Sequence, residues 1–217
     1  MSSMTGKTVE PTTRSIGTMK GRTAFAEEAP NQQSPLPKRV AVPALLRCVA
    51  STTGLLAHRR IHLPASRVGM RLRFADGTTA RVYRETVVEG GAPANPCALV
   101  VGFRLRAVRG RGHALFRWES LLNTPLFVGF PGFVSKLWLA HDERGLYRGI
   151  YEWDGPGRAE HYARSLWRVL ALGCDPQSIH YMVLPGMRRD DLLRAPQRLD
   201  ETAPRDAAAW WRLVEVT

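Results

Sequence analysis

Cysteine is scarce in this chain: Cys48, Cys97 and Cys174 are the only three in 217 residues. They stand far apart and make no C-x-x-C pair. That excludes a zinc ribbon, a thioredoxin-type redox site and a disulfide-dense secreted scaffold. Three such cysteines are expected to be small buried hydrophobes. Lysine is scarcer than the charge suggests, since 27 of the 31 basic residues are arginine. His58-Arg59-Arg60-Ile61-His62 has H-x-x-x-H spacing but lies past the end of the helix expected over 44–56, His113 has no such partner, and no H-E-x-x-H occurs, so no metal site is expected. No G-x-G-x-x-G precedes a helix, no G-x-x-x-x-G-K-[ST] occurs, and no G-x-S-x-G elbow is present. Nucleotide cofactors and hydrolase chemistry are therefore not indicated. The first apolar run, residues 40–57, comes too late for a secretory signal. It carries Pro43, Arg47, Ser51, Thr52, Thr53 and Gly54. A spanning helix needs about 20 nearly uninterrupted apolar residues, so no transmembrane segment is expected and a cytoplasmic location is. A short helix docking on the body is expected over 44–56, with an interfacial membrane helix as the lesser alternative.

What is present is an ordinary globular composition, 44% hydrophobic and 23% charged, with a net charge of +12. Residues 1–96 carry 14 basic and 6 acidic residues, a balance of +8; residues 97–217 carry 17 and 13, a balance of +4. Residues 1–38 are rich in small and polar residues without periodicity and are expected to be a disordered tail. Residues 39–96 read as an N-terminal extension containing a β-hairpin over 70–88. Met70-Arg71-Leu72-Arg73-Phe74 alternates, Asp76-Gly77 is a hairpin turn, and 80–87 returns. Arg71, Arg73, Arg81 and Glu85 are expected to form a solvated charged face. A basic ribbon contacting nucleic acid or anionic lipid is ranked last, because no aromatic-basic interleaving supports it.

Residues 97–187 are more regular. Strands are expected over 99–108, 133–140, 146–153 and 178–184, with helices over 112–122 and 158–172. The order β-α-β-β-α-β is that of the split-βαβ, ferredoxin-like arrangement. Two helices on one side of four antiparallel strands leave the other side uncovered. The Tyr147, Gly149, Tyr151, Trp153 class of the third strand is assigned to that bare side. An apolar face of this kind must pair with a second subunit, be covered by the N-terminal extension, or wall a ligand cavity. Residues 188–217, with Trp210 and Trp211, are expected to pack back on the body, to edge a partner's sheet, or to plug the pocket mouth with Trp210.

Three short motifs stand together in this region: Pro131-Gly132 opening the second strand, Lys136-Leu137-Trp138 within it, and Gly149-Ile150-Tyr151 in the third. Over about residues 97–187 the chain resembles the YdhR-type monooxygenases of the antibiotic-biosynthesis monooxygenase superfamily, the dimeric α/β-barrel proteins. The resemblance implies an α+β, ferredoxin-like homodimer whose sheets close into a barrel. It implies a pocket for a small aromatic or polyketide-like molecule, oxidised by O₂ without a cofactor. On that reading His180, His161 and Tyr151 are the catalytic candidates, a histidine being the base. Trp138, Lys136, Tyr147, Trp153, Tyr162 and Arg104 are the substrate-binding candidates, the aromatics stacking a flat ring and Lys136 or Arg104 steadying an anion. Haem-degrading relatives use an asparagine on the first strand, and none lies in 99–108, which argues against haem. The same aromatics also fit plain packing, His161 a surface position, and His180 a structural one. A non-catalytic binding module is thus the standing alternative.

Overall fold

The computed structural model describes residues 34–106, 124–199 and 209–217. The period-2 segments become an antiparallel sheet of eight strands. They are β1 Ile61–His62, β2 Arg71–Phe74, β3 Thr79–Val88, β4 Pro96–Arg104, β5 Phe133–Leu139, β6 Leu146–Asp154, β7 His180–Pro185 and β8 Leu213–Val216. The strand order is β7-β4-β6-β5-β3-β2-β8, with β1 also on β3. Helix α1 is Lys38–Ala57, α2 is Pro156–Gly173, and α3 is the short Arg189–Arg194. The helix expected over 112–122, the end of the first predicted strand, and His113 lie outside the described residues, as do residues 1–33 of the predicted tail. Residues 34–36 are tied to α2: the Arg164 and Arg168 guanidiniums donate to the Ser34 and Leu36 carbonyls at 3.1 and 2.8 Å.

Helix α2 starts where Gly155 turns the chain at φ 105° and Pro156 supplies a first-turn residue that needs no N–H partner. Its buried stripe, Ala159, Tyr162, Ala163 and Leu166, packs on the sheet. Helix α1 is longer than expected. Pro43 sits early in it, and the Thr52 and Thr53 hydroxyls donate back to the Cys48 and Val49 carbonyls, so the polar residues do not break it. By length and composition alone α1 could cross a membrane, contrary to the sequence expectation. It docks on the body through the buried seam Ala41, Cys48 and Thr52. Gly129 makes that approach possible, because a side chain there would collide with the Cys48 carbonyl oxygen.

The alternation classes divide cleanly, but onto the opposite sides from those expected. Tyr151, Trp153, Trp138, Leu99 and Val101 face α2, in one core with Tyr162 and Leu166. The other side is aliphatic, with Ala98, Val100, Leu137, Leu139, Ile150 and Leu184. Two helices did not leave an aromatic side bare; the aromatics are what the helices cover. The aliphatic side is closed by the chain itself: Leu72 and Phe74 from the hairpin, Leu192 and Leu193 from α3, then Leu199, Trp211 and Leu213. Strand β8 completes this by pairing antiparallel with β2. Of the three covers considered for a bare face, segments of the chain itself provide the one seen on this side.

Buried charges fasten this cover. Arg148, fully buried, donates to Asp142 Oδ2 at 2.6 Å, to Asp76 Oδ2 and Thr78 Oγ1 at 3.0 Å each, and to the Trp210 carbonyl at 2.7 Å. One guanidinium thus ties the hairpin turn, the β5–β6 loop and the C-terminal segment together. Glu85, also fully buried, accepts Arg67 and Arg189 at 2.8 Å each, and Arg67 reaches Asp190 at 2.7 Å. Glu85 was expected on a solvated face with Arg81. A bulge between Val82 and Arg84 interrupts the β3–β5 register and reverses the alternation, turning Glu85 inward.

Candidate functional site

The same bulge builds the site. Tyr83 and Arg84 follow each other on the α2 side, and both reach Trp138: the Tyr83 ring lies 6.4 Å from the Trp138 ring and the Arg84 guanidinium 3.8 Å from it. On β5, Lys136 and Trp138 are two apart and share that side, with Lys136 opposite Tyr151 and Trp138 opposite Gly149. The Trp138 indole N–H donates to the Thr86 hydroxyl at 3.0 Å, which fixes the ring. The Lys136 Nζ then lies 3.2 Å from the Trp138 centroid, 4.5 Å from Phe127 and 4.7 Å from Tyr151. Each of these is a cation–π distance.

The three motifs now have physical meanings. Gly132 turns into β5 at φ 87°, with the Asp154 carbonyl 2.7 Å from where a Cβ would stand. Lys-x-Trp puts amine and indole on one side of the sheet. Gly149 permits a close approach: a Cβ there would lie 2.8 Å from the Tyr151 ring and 3.2 Å from Lys136 Cε, so the ring and the lysine stem pack down onto the strand. The result is a cavity of about 190 Å³ beneath α2. That is below the ~300–1,000 Å³ of drug-sized sites and suits a compound of one ring. Its walls are Tyr83, Phe103, Phe127, Trp138, Tyr147, Tyr151, Tyr162 and aliphatic residues including Leu126, Leu166 and Leu170. No carboxylate lies among the described lining residues. The arginine among the described lining residues, Arg148, is committed to Asp142 and Asp76.

Burial pushes the Lys136 ammonium well below the ordinary lysine value, and the Arg84 charge adds to the shift. Burial raises the Tyr151 phenol, partly countered by the hydrogen bond it accepts from Tyr162 at 3.1 Å. Tyr162 is raised by burial and by Tyr151 beside it. Cys174, on the cavity wall, is pushed up to about 12 by burial, so its thiol stays protonated. The site is therefore an aromatic chamber holding a buried amine whose pKa is lowered, beside two phenols whose pKa values are raised.

Five expected site residues meet in this chamber: Tyr151, Trp138, Lys136, Tyr147 and Tyr162. The others do not. Trp153 is fully buried beside Phe133 and Tyr162, as packing. His161 is exposed on α2, near the Phe130 ring, in a separate cleft against α1. Burial of its ring, then the Arg164 and Arg47 charges, lower its pKa. His180 is exposed at the start of β7, where it meets Trp210, and Arg104 lies in the same outer cleft. Trp210 covers Gly102 and does not plug the aromatic chamber. Among the described residues no histidine lines this cavity, and Lys136 is the amine that does. Sequence reasoning missed Tyr83, whose orientation depends on the bulge, and Phe127, which lies in a connector without periodicity. Among the described residues no group of three or more His, Cys, Asp or Glu could hold a metal ion.

No protein-family model matches the chain, and no curated protein matches it. Two solved structures are distantly similar. One is a major regulator of staphylococcal pathogenesis, at 13% identity and TM-score 0.34, over 63% of this chain and 91% of that one. The other is an uncharacterized ferredoxin-fold protein from Listeria monocytogenes related to antibiotic biosynthesis monooxygenases, at 12% identity and TM-score 0.33, over 62% and 86%. What this chain shares with such proteins is an α+β, antiparallel, curled sheet with helices, and a likeness at this level carries no argument about activity.

Proposed function

We propose that the protein binds a small, flat, electron-rich aromatic compound in the Lys136 chamber and promotes its oxidation by O₂ without a cofactor. The observation that carries this reading is the Lys136 amine, held against three aromatic rings in a cavity with no carboxylate among the described lining residues. A neutral amine in a dry site is a general base. It takes a proton from a phenol or an activated methylene, and the ammonium so formed is held over Trp138, Tyr151 and Phe127. The substrate anion gives an electron to O₂, the radical pair combines to a hydroperoxide, and loss of water leaves a carbonyl. For a methylene the balance is R₂CH₂ + O₂ → R₂C=O + H₂O. The ring walls stack the substrate, and the protonated Tyr151 and Tyr162 phenols offer hydrogen bonds to a developing oxyanion.

Oxygen uptake with a panel of anthrones and hydroquinones tests this. Wild type is expected to consume O₂ and yield the ketone or quinone, and Lys136→Met to lose about 10²–10⁴-fold in rate, the usual worth of a positioned base. Absence of oxygen-dependent product across the panel would contradict it. A non-catalytic module that only holds an aromatic ligand is the second reading. That no histidine is among the described lining residues favours it, and it predicts quenching of Trp138 fluorescence by the same compounds without turnover.

A further inference from the structure

We propose that Lys136 is also a carbonyl-capture site, its amine forming an imine with a small aromatic aldehyde seated in the aromatic chamber. This rests on the ligand class given above but not on oxidation. Three observations converge on it. The amine lies 3.2 Å from the Trp138 ring centroid, at the wall of an enclosed cavity sized for one ring. Gly149 lets the Lys136 stem lie against the strand, with Cε 3.2 Å from where a Cβ would stand, which seats the amine at the ring walls. No described carboxylate lines the cavity to hold the amine as an ammonium, while a second cation, Arg84, sits 3.8 Å from the same indole. Lysines become nucleophiles when desolvated in an apolar pocket or set beside another cation, and here both conditions hold. The competing nucleophile, Cys174, is a protonated thiol.

The step needs no oxidant. The nitrogen lone pair forms the C–N bond to the carbonyl carbon, and the C=O electron pair moves onto oxygen. A proton passes from nitrogen to that oxygen, giving a carbinolamine. The C–O bond then breaks with a proton supplied to the departing oxygen, water leaves, and C=N forms. The Tyr151 and Tyr162 phenols, kept protonated by burial, are the proton donors that line the same cavity. A dry chamber also favours the dehydrated product, since water is released from it.

The sequence makes the test simple, because the chain has only four lysines: Lys7, Lys20, Lys38 and Lys136. The full-length protein is treated with benzaldehyde and cyanoborohydride near neutral pH, and benzylated lysines are mapped by peptide mass spectrometry. Lys136 is expected to be labelled at least about tenfold faster than the exposed Lys38, a ratio that one unit of pKa difference supplies. The preference should vanish in denaturing urea, where both lysines meet water alike, and in Lys136→Met the remaining lysines should label at unchanged rates. Labelling of folded Lys136 no faster than Lys38 would overturn the proposal. Oxygen uptake measured on the same preparation separates the two readings: trapping without uptake sinks oxidation alone, and uptake without trapping sinks imine formation alone.

Discussion

The two sides of the sheet treat buried charge in opposite ways. On the aliphatic side, Arg148 and Glu85 are fully buried and surrounded by partners drawn from the hairpin, the β5–β6 loop and the C-terminal segment. On the aromatic side, Lys136 is as deeply placed but meets ring faces. A buried charge costs several kcal/mol unless it is paired. One side meets that cost with ion pairs and becomes the fastening of the fold. The other sets the amine against ring faces, where burial holds it well below the ordinary lysine value and so favours a reactive amine.

The largest expected effect comes from breaking the fastening. Arg148→Met leaves Asp142 and Asp76 buried without their cation and is expected to cost about 3–5 kcal/mol of stability in urea unfolding. The same change at Lys136 replaces a buried amine that has no ion-pair partner among the described residues, so Lys136→Met is expected to leave stability near neutral pH unchanged or raised. Equal destabilisation by both would erase the distinction. Next in size is Gly149→Ala, whose Cβ would press on the Tyr151 ring at 2.8 Å. It is expected to cost about 1–3 kcal/mol as overpacking and to abolish ligand quenching of Trp138. Smaller still is Tyr162→Phe, which removes one hydrogen bond between phenols and is expected to cost about 0.5–1.5 kcal/mol.

A further contrast is read as a slope. Burial holds Lys136 below its ordinary value of 10.5, so between the lowered value and 10.5 the unfolded chain binds more protons than the folded one. Stability of wild type relative to Lys136→Met is expected to rise with pH across that window and to be flat above it. Asp142 gives the opposite sense at the acid end. Burial works against its ionisation, but hydrogen bonds from the Leu146 amide, from Arg148 and from the Arg144 amide outweigh it, and the carboxyl stays below the ordinary aspartate range. Its contribution is present above the ordinary value, fades as pH falls through the lowered one, and should be missing from Asp142→Asn.

Periodicity made the hairpin, β5, β6 and α2 legible, because each carries a local pattern long enough to be unambiguous. Lys136, Trp138, Gly149 and Tyr151 were legible as a group because alternation puts each pair on one side. What alternation cannot say is which side a helix will cover. The Tyr147–Trp153 class was therefore assigned to the bare face. Arg148 is buried because its partners Asp76 and Asp142 and the Trp210 carbonyl arrive from remote segments, and no local pattern announces them. The bulge at Tyr83 shifts the frame by one residue, sending Glu85 inward and Arg84 to the cavity side. His180 looked like a pocket residue because β7 alternates through it, but it stands at the strand's exposed end.

The most direct test of the reactive side is an ¹⁵N NMR titration of the lysine amines in the full-length protein, with the Lys136 resonance assigned by its loss in Lys136→Met. A Lys136 amine that titrates well below the ordinary lysine value of 10.5 is the result predicted here. A Lys136 ammonium that persists to that ordinary value would contradict the account.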